Sequence, residues 1–262
     1  MRMSTPRTLL LCTALGLGVM IGCILKRQPP DPVYNGKRLS KWLDGYAPTG
    51  LFHYDSIRNA DEAVAHLGTN CIPLLLKMLQ KKDFPLQAQV AQFLWSHQVT
   101  NFQPRWASGE CASAMLAFQK LGPDGKDAVP DLIKIYQANP DVRGWILGCL
   151  GAIGPAAEKA DSLLVRATKG TNSLIRVYAV NAISKVHAEP DTMVPLLSNL
   201  LSDPDIDVEG QAAFALGQFG EAARPAIPML RKTAKNPDKN LSQLAKQALQ
   251  RIEGPLLDGL EP

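Results

Sequence analysis

Between residues 208 and 219, Val208, Ala212, Ala215, Leu216 and Phe219 form a periodic apolar series, with Glu209, Gln211 and Gln218 between them. These intervals (i, i+4, i+7, i+8, i+11) put the apolar set on one face of a 3.6-residue helix. Gly220 follows the last periodic residue and predicts the helix end, because glycine tolerates the left-handed backbone that closes a helix. A second apolar run follows in AARPAIPMLRKTA, residues 222–234. Its prolines predict the first turn of another helix, where a missing N–H leaves no bond unmade.

The same punctuation recurs along the chain. Helix-ending pairs stand at Leu121-Gly122, Ile153-Gly154, Val186-His187 and Phe219-Gly220, their second members 32, 33 and 33 residues apart. Eight residues after positions 122, 187 and 220 come Pro130, Pro195 and Pro228. Some 21 residues after each anchor come Val142-Arg143, Ile175-Arg176, Val208-Glu209 and Leu241-Ser242. Ile146, Ala179, Ala212 and Ala245 follow four residues later, then Cys149, Ala182, Ala215 and Ala248 after three more. Four landmarks in register define a unit of about 33 residues: a helix, a short Asn/Asp/Pro turn such as NPDVR or DPDIDVE, and a second helix. Small residues at the repeated positions let neighbouring second helices approach closely.

The fold expected is all-α, an α-solenoid of stacked antiparallel helix pairs over residues 59–253. AVAHLGTNCIPLLLKMLQ fits as an earlier copy with Gly68 at the anchor. Gly68 and Gly122 are 54 residues apart, well beyond one unit, and the excess is assigned to SHQVTNFQPRWASGE, a long loop carrying Trp106. Residues 1–27 read as a membrane anchor or signal segment, 28–58 as a Pro-rich spacer with a short leader helix, and 254–262 as a tail.

Composition agrees with close helix packing. The chain is 46% hydrophobic but only 6% aromatic, so its core must be Ala, Leu, Ile and Val. The net charge of +4 is misleading: Arg2, Arg7, Lys26 and Arg27 stand in the first 27 residues without an acid, and the remainder carries 24 basic against 24 acidic residues. A nucleic-acid binder would carry a basic surplus to neutralise phosphates. The expectation is no nucleic-acid partner.

From Thr8 to Leu25 there is no charged residue, which predicts contact with a membrane through residues 8–25. Three fates compete. The segment stays as a signal anchor; or MIGC, residues 20–23, acts as a bacterial lipobox and Cys23 is lipidated; or a signal peptidase removes it, although no A-x-A site is present. An N-terminal span usually leaves the start inside, so the body is expected outside the cytoplasm, in a bacterial envelope. Beyond three prolines, Leu39 to Leu43 is predicted as a short helix capped by Ser40. Tyr34, Leu39, Trp42 and Leu43 are expected to pack as a lid over the first repeat. The Tyr34, Gly36, Lys37, Leu39, Ser40, Trp42, Leu43 pattern resembles a leader found ahead of helical-repeat domains in envelope-associated bacterial proteins.

A 33-residue helical unit also suits ankyrin or tetratricopeptide arrays, but neither the T-P-L-H phrase nor the Trp, Leu-Gly, Tyr pattern is present. The order Pro, Asp, Val-Arg, Ala, Leu-Gly instead resembles HEAT repeats of the short kind, including those named after phycobilisome lyases. The resemblance covers residues 59–253. It implies that the second helices line a concave binding side, where Trp145, Tyr178, Asn181, Lys185, Gln211, Phe214, Gln218 and Arg251 remain once core positions are set aside. Aromatics beside amides and a cation suit a protein or peptide partner, although Trp145, Tyr178 and Phe214 could equally fill gaps between adjacent second helices.

Catalytic spacing is not found. His53, His66, His97 and His187 make no metal pattern, and the absence of a His-Glu dipeptide argues against the di-iron hydroxylases built on HEAT repeats. Cys149 sits at a core position, and a Cys71–Cys111 disulfide is the one pairing considered. No phosphate loop or nucleophile elbow appears. No cofactor, metal or small-molecule substrate is expected. The function expected is a non-catalytic, membrane-tethered protein-interaction scaffold. The rivals are a phycobilisome-lyase-like chromophore-attachment helper, a DNA-handling repeat protein and a plain envelope spacer.

Overall fold

The computed structural model describes residues 30–46, 54–83, 85–97, 106–186 and 189–254. The apolar segment 8–25 with Cys23, and His53, His187 and the tail beyond 254, lie outside the described residues.

The chain opens with a hairpin of β1 (Val33–Tyr34) and β2 (Lys37–Arg38), followed by α1 (Leu39–Trp42). Then come α2 (Tyr54–Leu67), α3 (Ile72–Met78), α4 (Gln87–Ser96) and α5 (Ala107–Leu121). The array continues through α6 (Val129–Ala138), α7 (Arg143–Ile153), α8 (Asp161–Ala167) and α9 (Ser173–Val186). It closes with α10 (Pro190–Leu200), α11 (Ile206–Phe219), α12 (Ile227–Thr233) and α13 (Lys239–Glu253).

The fold is an all-α solenoid. Each of α3, α6, α8, α10 and α12 packs on the second helix of its own unit, α5, α7, α9, α11 and α13 respectively. The second helices form a continuous row, each touching the next, and α2 heads that row against α5. The small positions are what bring the row together. Ala179, Ala212, Ala245, Cys149, Ala182, Ala215 and Ala248 are all buried, and an added Cβ on Gly217 would lie 3.1 Å from the Ala248 Cα. Between the two rows, Leu132, Leu147, Leu150, Leu164, Ile183, Leu197, Leu216 and Leu230 are fully enclosed. Each such side chain contributes about 1.5–3 kcal/mol.

The anchor glycines do have positive φ, but not the left-handed helical conformation expected of them. Gly122, Gly154 and Gly220 take φ/ψ of 53/−132, 70/−144 and 55/−134. That quadrant is open to glycine alone. It turns each second helix into a 3-10 stretch (Gly122–Ala128, Gly154–Ala160, Gly220–Ala226) that feeds the next unit. Pro130 and Pro228 stand second in α6 and α12, as expected, whereas Pro195 lies inside α10, because that helix begins early at Pro190.

A period unnoticed in the sequence starts the second helices. Asn139, Asn172, Asp205 and Asp238, each 33 residues apart, accept bonds from the backbone amides of Asp141, Ile175, Asp207 and Leu241. These are side-chain caps on amides that have no partner inside the helix.

Several expectations about the N-terminal third change. The expected loop, residues 96–110, ends early, because Trp106 directly precedes α5 and ASGE belongs to that helix. Part of the excess between Gly68 and Gly122 is instead α4, which occupies residues 87–96 ahead of the loop. Helix α2 starts at Tyr54, ahead of the expected solenoid start at residue 59. Ser40 does not cap α1; its amide and hydroxyl instead donate to the Asp31 carboxylate at 3.0 and 2.6 Å. Asn35 and Gly36, with φ of 47° and 71°, make the two-residue turn of the hairpin. The leader packs on α2: Leu39 and Leu43 are buried, Tyr34 stacks on His66 at 4.8 Å, and Trp42 donates to the Tyr34 carbonyl. Among the described residues no helix is long and apolar enough to cross a membrane.

Candidate functional site

The amino-terminal ends of α9, α11 and α13 come side by side, and between them runs a groove of about 640 Å³. Its walls are Leu174, Val177, Ile206, Phe214 and Leu244. Leu174 and Ile206 are 56% and 48% exposed, and Tyr178 on the adjoining turn of α9 is 41% exposed. Large apolar side chains left this open along one strip are what a binding surface has and a solvated helix face lacks.

Polar groups complete the site. Asp205, Asp207 and Asp238 line it, and no Lys or Arg does. Asp205 is held below its ordinary carboxylate range, first by a hydrogen bond from Ser173 and then by the amides of Asp207 and Val208 and the charge of Arg176. It therefore stays ionised at neutral pH. Gln211 reaches the groove from α11, and its Nε2 is buried without a hydrogen-bond partner among the described residues. A buried amide donor left unmade carries a penalty of about 1–3 kcal/mol, which turning outwards to meet an acceptor would remove.

The sequence-predicted residues separate into three groups. Asn181, Gln211 and Phe214 line the groove, with Tyr178 close by on α9. Trp145 is half-buried and packs on the core from α7, and the Tyr178 ring lies over Gly144. Lys185, Gln218 and Arg251 stand exposed at the opposite, carboxy-terminal ends of their helices. The stems of Lys185 and Arg251 cover Gly151 and Gly217, and the Arg251 guanidinium sits 5.6 Å from the Phe214 ring centroid. Their charged heads edge the row while their stems pack, as long cationic side chains do. The sequence reading missed Leu174, Ile206 and the three aspartates. The signal available for them was the Asn/Asp cap period, which places residue 205 beside residue 238.

A second depression, of about 720 Å³, lies under the leader between Arg38, Ser40, Lys77, Lys81 and Glu110. Lys81 donates to Glu110 at 2.7 Å across it, so its charge is already matched within the chain.

No group of His, Cys, Asp or Glu that could hold a metal occurs among the described residues. The Cys71–Cys111 disulfide is not formed: both thiols and that of Cys149 are free and buried. Cys71 points to the Val64 carbonyl and Cys111 to those of Met78 and Leu79, so each is held by a different part of the core.

The stacked helix pairs and the open groove along the second helices define a helical-repeat solenoid. Within it, residues 193–261 match the family of HEAT repeats. Two engineered proteins of known crystal structure resemble the fold. One is 18% identical with a TM-score of 0.42, covering 82% of this chain and 96% of its own. The other is 17% identical with a TM-score of 0.42, covering 84% and 69%. No curated protein matches the chain.

Proposed function

We propose that the protein is a non-catalytic interaction scaffold that binds a segment of another protein along its second-helix row. In this reading residues 8–25 tether it to a membrane with the solenoid outside the cytoplasm. The observation that carries the proposal is the strip of exposed Leu174, Tyr178 and Ile206 beside the groove that Asn181, Gln211 and Phe214 line. HEAT repeats, matched at residues 193–261, are a common protein-binding fold. The acidic lining argues against nucleic acid, because phosphates would meet Asp205, Asp207 and Asp238 without a cation.

The test is crosslinking of the full-length protein in its native membrane, read by mass spectrometry, with Tyr178→Ser/Ile206→Ser as control. Both side chains are exposed, so the substitutions leave the core intact. Crosslinks from the second-helix row to another protein, lost in the double variant, support the scaffold. Crosslinks only elsewhere on the surface, or unchanged in the variant, overturn it.

A further inference from the structure

The groove between α9, α11 and α13 has a chemistry that restricts its occupant. We infer that it receives an extended protein segment in which an apolar side chain is flanked by Lys or Arg. This rests on the scaffold reading and names the partner's chemistry.

Three observations carry it. First, the acidity of the groove exceeds what the fold requires. Asp205 and Asp238 cap their helices, but at the equivalent positions Asn139 and Asn172 do the same with neutral amides. Capping needs an acceptor oxygen and not a full charge. Asp207 caps nothing, stands exposed in the first turn of α11 and lines the same groove. Three carboxylates with no cation among the lining residues, on a chain whose body is neutral, form a local negative potential that cations answer.

Second, the walls between the carboxylates are apolar. Leu174 and Ile206 are about half exposed, and Phe214 and Leu244 lie deeper. A purely polar or polycationic chain would leave those surfaces unmatched. An apolar side chain seated against Phe214 and Leu244 covers them, with its charged neighbours turned towards the aspartates.

Third, the Gln211 amide nitrogen is buried at the groove and has no partner among the described residues. Gln211 stands at the register position taken by Tyr178 in the preceding unit and Leu244 in the following one, so an apolar residue fits there sterically. An amide in its place, once its side chain turns outwards, supplies a donor for a backbone carbonyl. An extended segment presents free carbonyls, whereas a helix has already used its own. The occupant is therefore extended.

The test uses the full-length protein in neutral detergent micelles and two fluorescein-labelled dodecapeptides. One alternates leucine with lysine and arginine; the other alternates leucine with glutamate. Fluorescence anisotropy at low salt is expected to show binding of the cationic peptide and at least tenfold weaker binding of the acidic one. Asp207→Lys should weaken the cationic peptide about tenfold while leaving the far-ultraviolet spectrum and melting temperature unchanged. Gln211→Leu should weaken it as well, with little change in salt dependence. Equal binding of both peptides, no binding of either, or binding unaffected by Asp207→Lys overturns the inference.

The native-membrane crosslinks separate this from the scaffold reading. A segment of another protein captured at the second-helix row but rich in acidic residues leaves the scaffold standing and removes the cationic occupant. Capture there of this chain's own residues 1–29, or of a second copy, removes it also. No capture at the row removes the scaffold reading itself.

Discussion

Arg176 and Asp203 face each other in a two-point ion pair that joins neighbouring units of the solenoid. The Arg176 Nε and one terminal nitrogen donate to the two Asp203 oxygens at 3.0 and 2.7 Å, and the other terminal nitrogen donates to the carbonyls of Gly170 and Thr171. The side chains are only 10% and 7% exposed. Asp203 in turn accepts the Asp205 amide, so the pair also sets the turn that leads into the groove. Removing one partner leaves the other charge buried and unmatched. Arg176→Ala and Asp203→Ala are each expected to lower stability by about 3–5 kcal/mol, and Arg176→Met/Asp203→Leu to recover a large part. The bond to Asp203 raises the Arg176 pKa above its ordinary, already strongly alkaline value. On the arginine's side the contribution is therefore complete at neutral and mildly alkaline pH and is lost only as pH rises through that high range. Urea titration at pH 7 and pH 9 should give the same deficit for the single variants.

Two glycines of the second helices separate steric need from chance. An added Cβ on Gly217 meets the Ala248 Cα at 3.1 Å and its Cβ at 3.3 Å. Backbone cannot move aside without parting α11 from α13. An added Cβ on Gly148 meets the Met115 Sδ at 2.6 Å, the end of a flexible side chain. Replacing glycine by alanine within a helix gains up to about 1 kcal/mol, and overpacking costs about 1–3 kcal/mol. Gly217→Ala should therefore melt lower than the parent protein, and Gly148→Ala at the same temperature or higher.

The repeat was legible because it depends on spacing. Ala212, Ala215 and most of their counterparts are small where second helices cross, and Gly122, Gly154 and Gly220 are glycine where the chain leaves a second helix at positive φ. The groove was half legible. Asn181, Gln211 and Phe214 follow from subtracting the core face, but Leu174 and Ile206 look like core residues until the absence of a neighbour over them is seen. The Arg176–Asp203 pair joins residues 27 apart on successive units, a relation that no helical period contains. Asn35-Gly36 did carry a hairpin signal, which two-residue strands made easy to pass over. Helix α4 escaped because its Gln-rich sequence has a weak amphipathic pattern within an insertion outside the repeat.

Asp161 should make stability depend on pH in a defined direction. Burial pushes its carboxyl above the ordinary value of 3.8, and the charges of Glu158 and Glu189 add to the effect. Its Oδ1 is buried without a hydrogen-bond partner among the described residues. Because its folded pKa is raised, the folded state holds the proton more tightly in that window, and this residue's contribution falls as pH rises through it. Asp161→Asn removes the charge. The variant should be more stable than the parent at pH 7, with the difference shrinking as pH is lowered towards 4. A difference that does not vary with pH would place the effect in packing.

The three described cysteines should be inert in the folded protein, and the reason is their burial. The Cys71 thiol is pushed up to about 12 by desolvation, and Cys111 up to about 11 by desolvation and the charges of Glu110 and Asp83. Cys149 is raised by burial as well, in the interior of α7. Alkylation needs the thiolate, which is scarce at pH 8 when the pKa lies well above it. Access is closed too, since Cys71, Cys111 and Cys149 are 0%, 1% and 0% exposed. Iodoacetamide at pH 8 is expected to leave all three unmodified in the folded protein over an hour and to label all three within minutes in 6 M guanidinium. Peptide mapping by mass spectrometry distinguishes them from Cys12 and Cys23. Rapid native labelling of Cys71 or Cys111 would mean that the first units open on that timescale. Labelling of Cys149 would mean that the central units do.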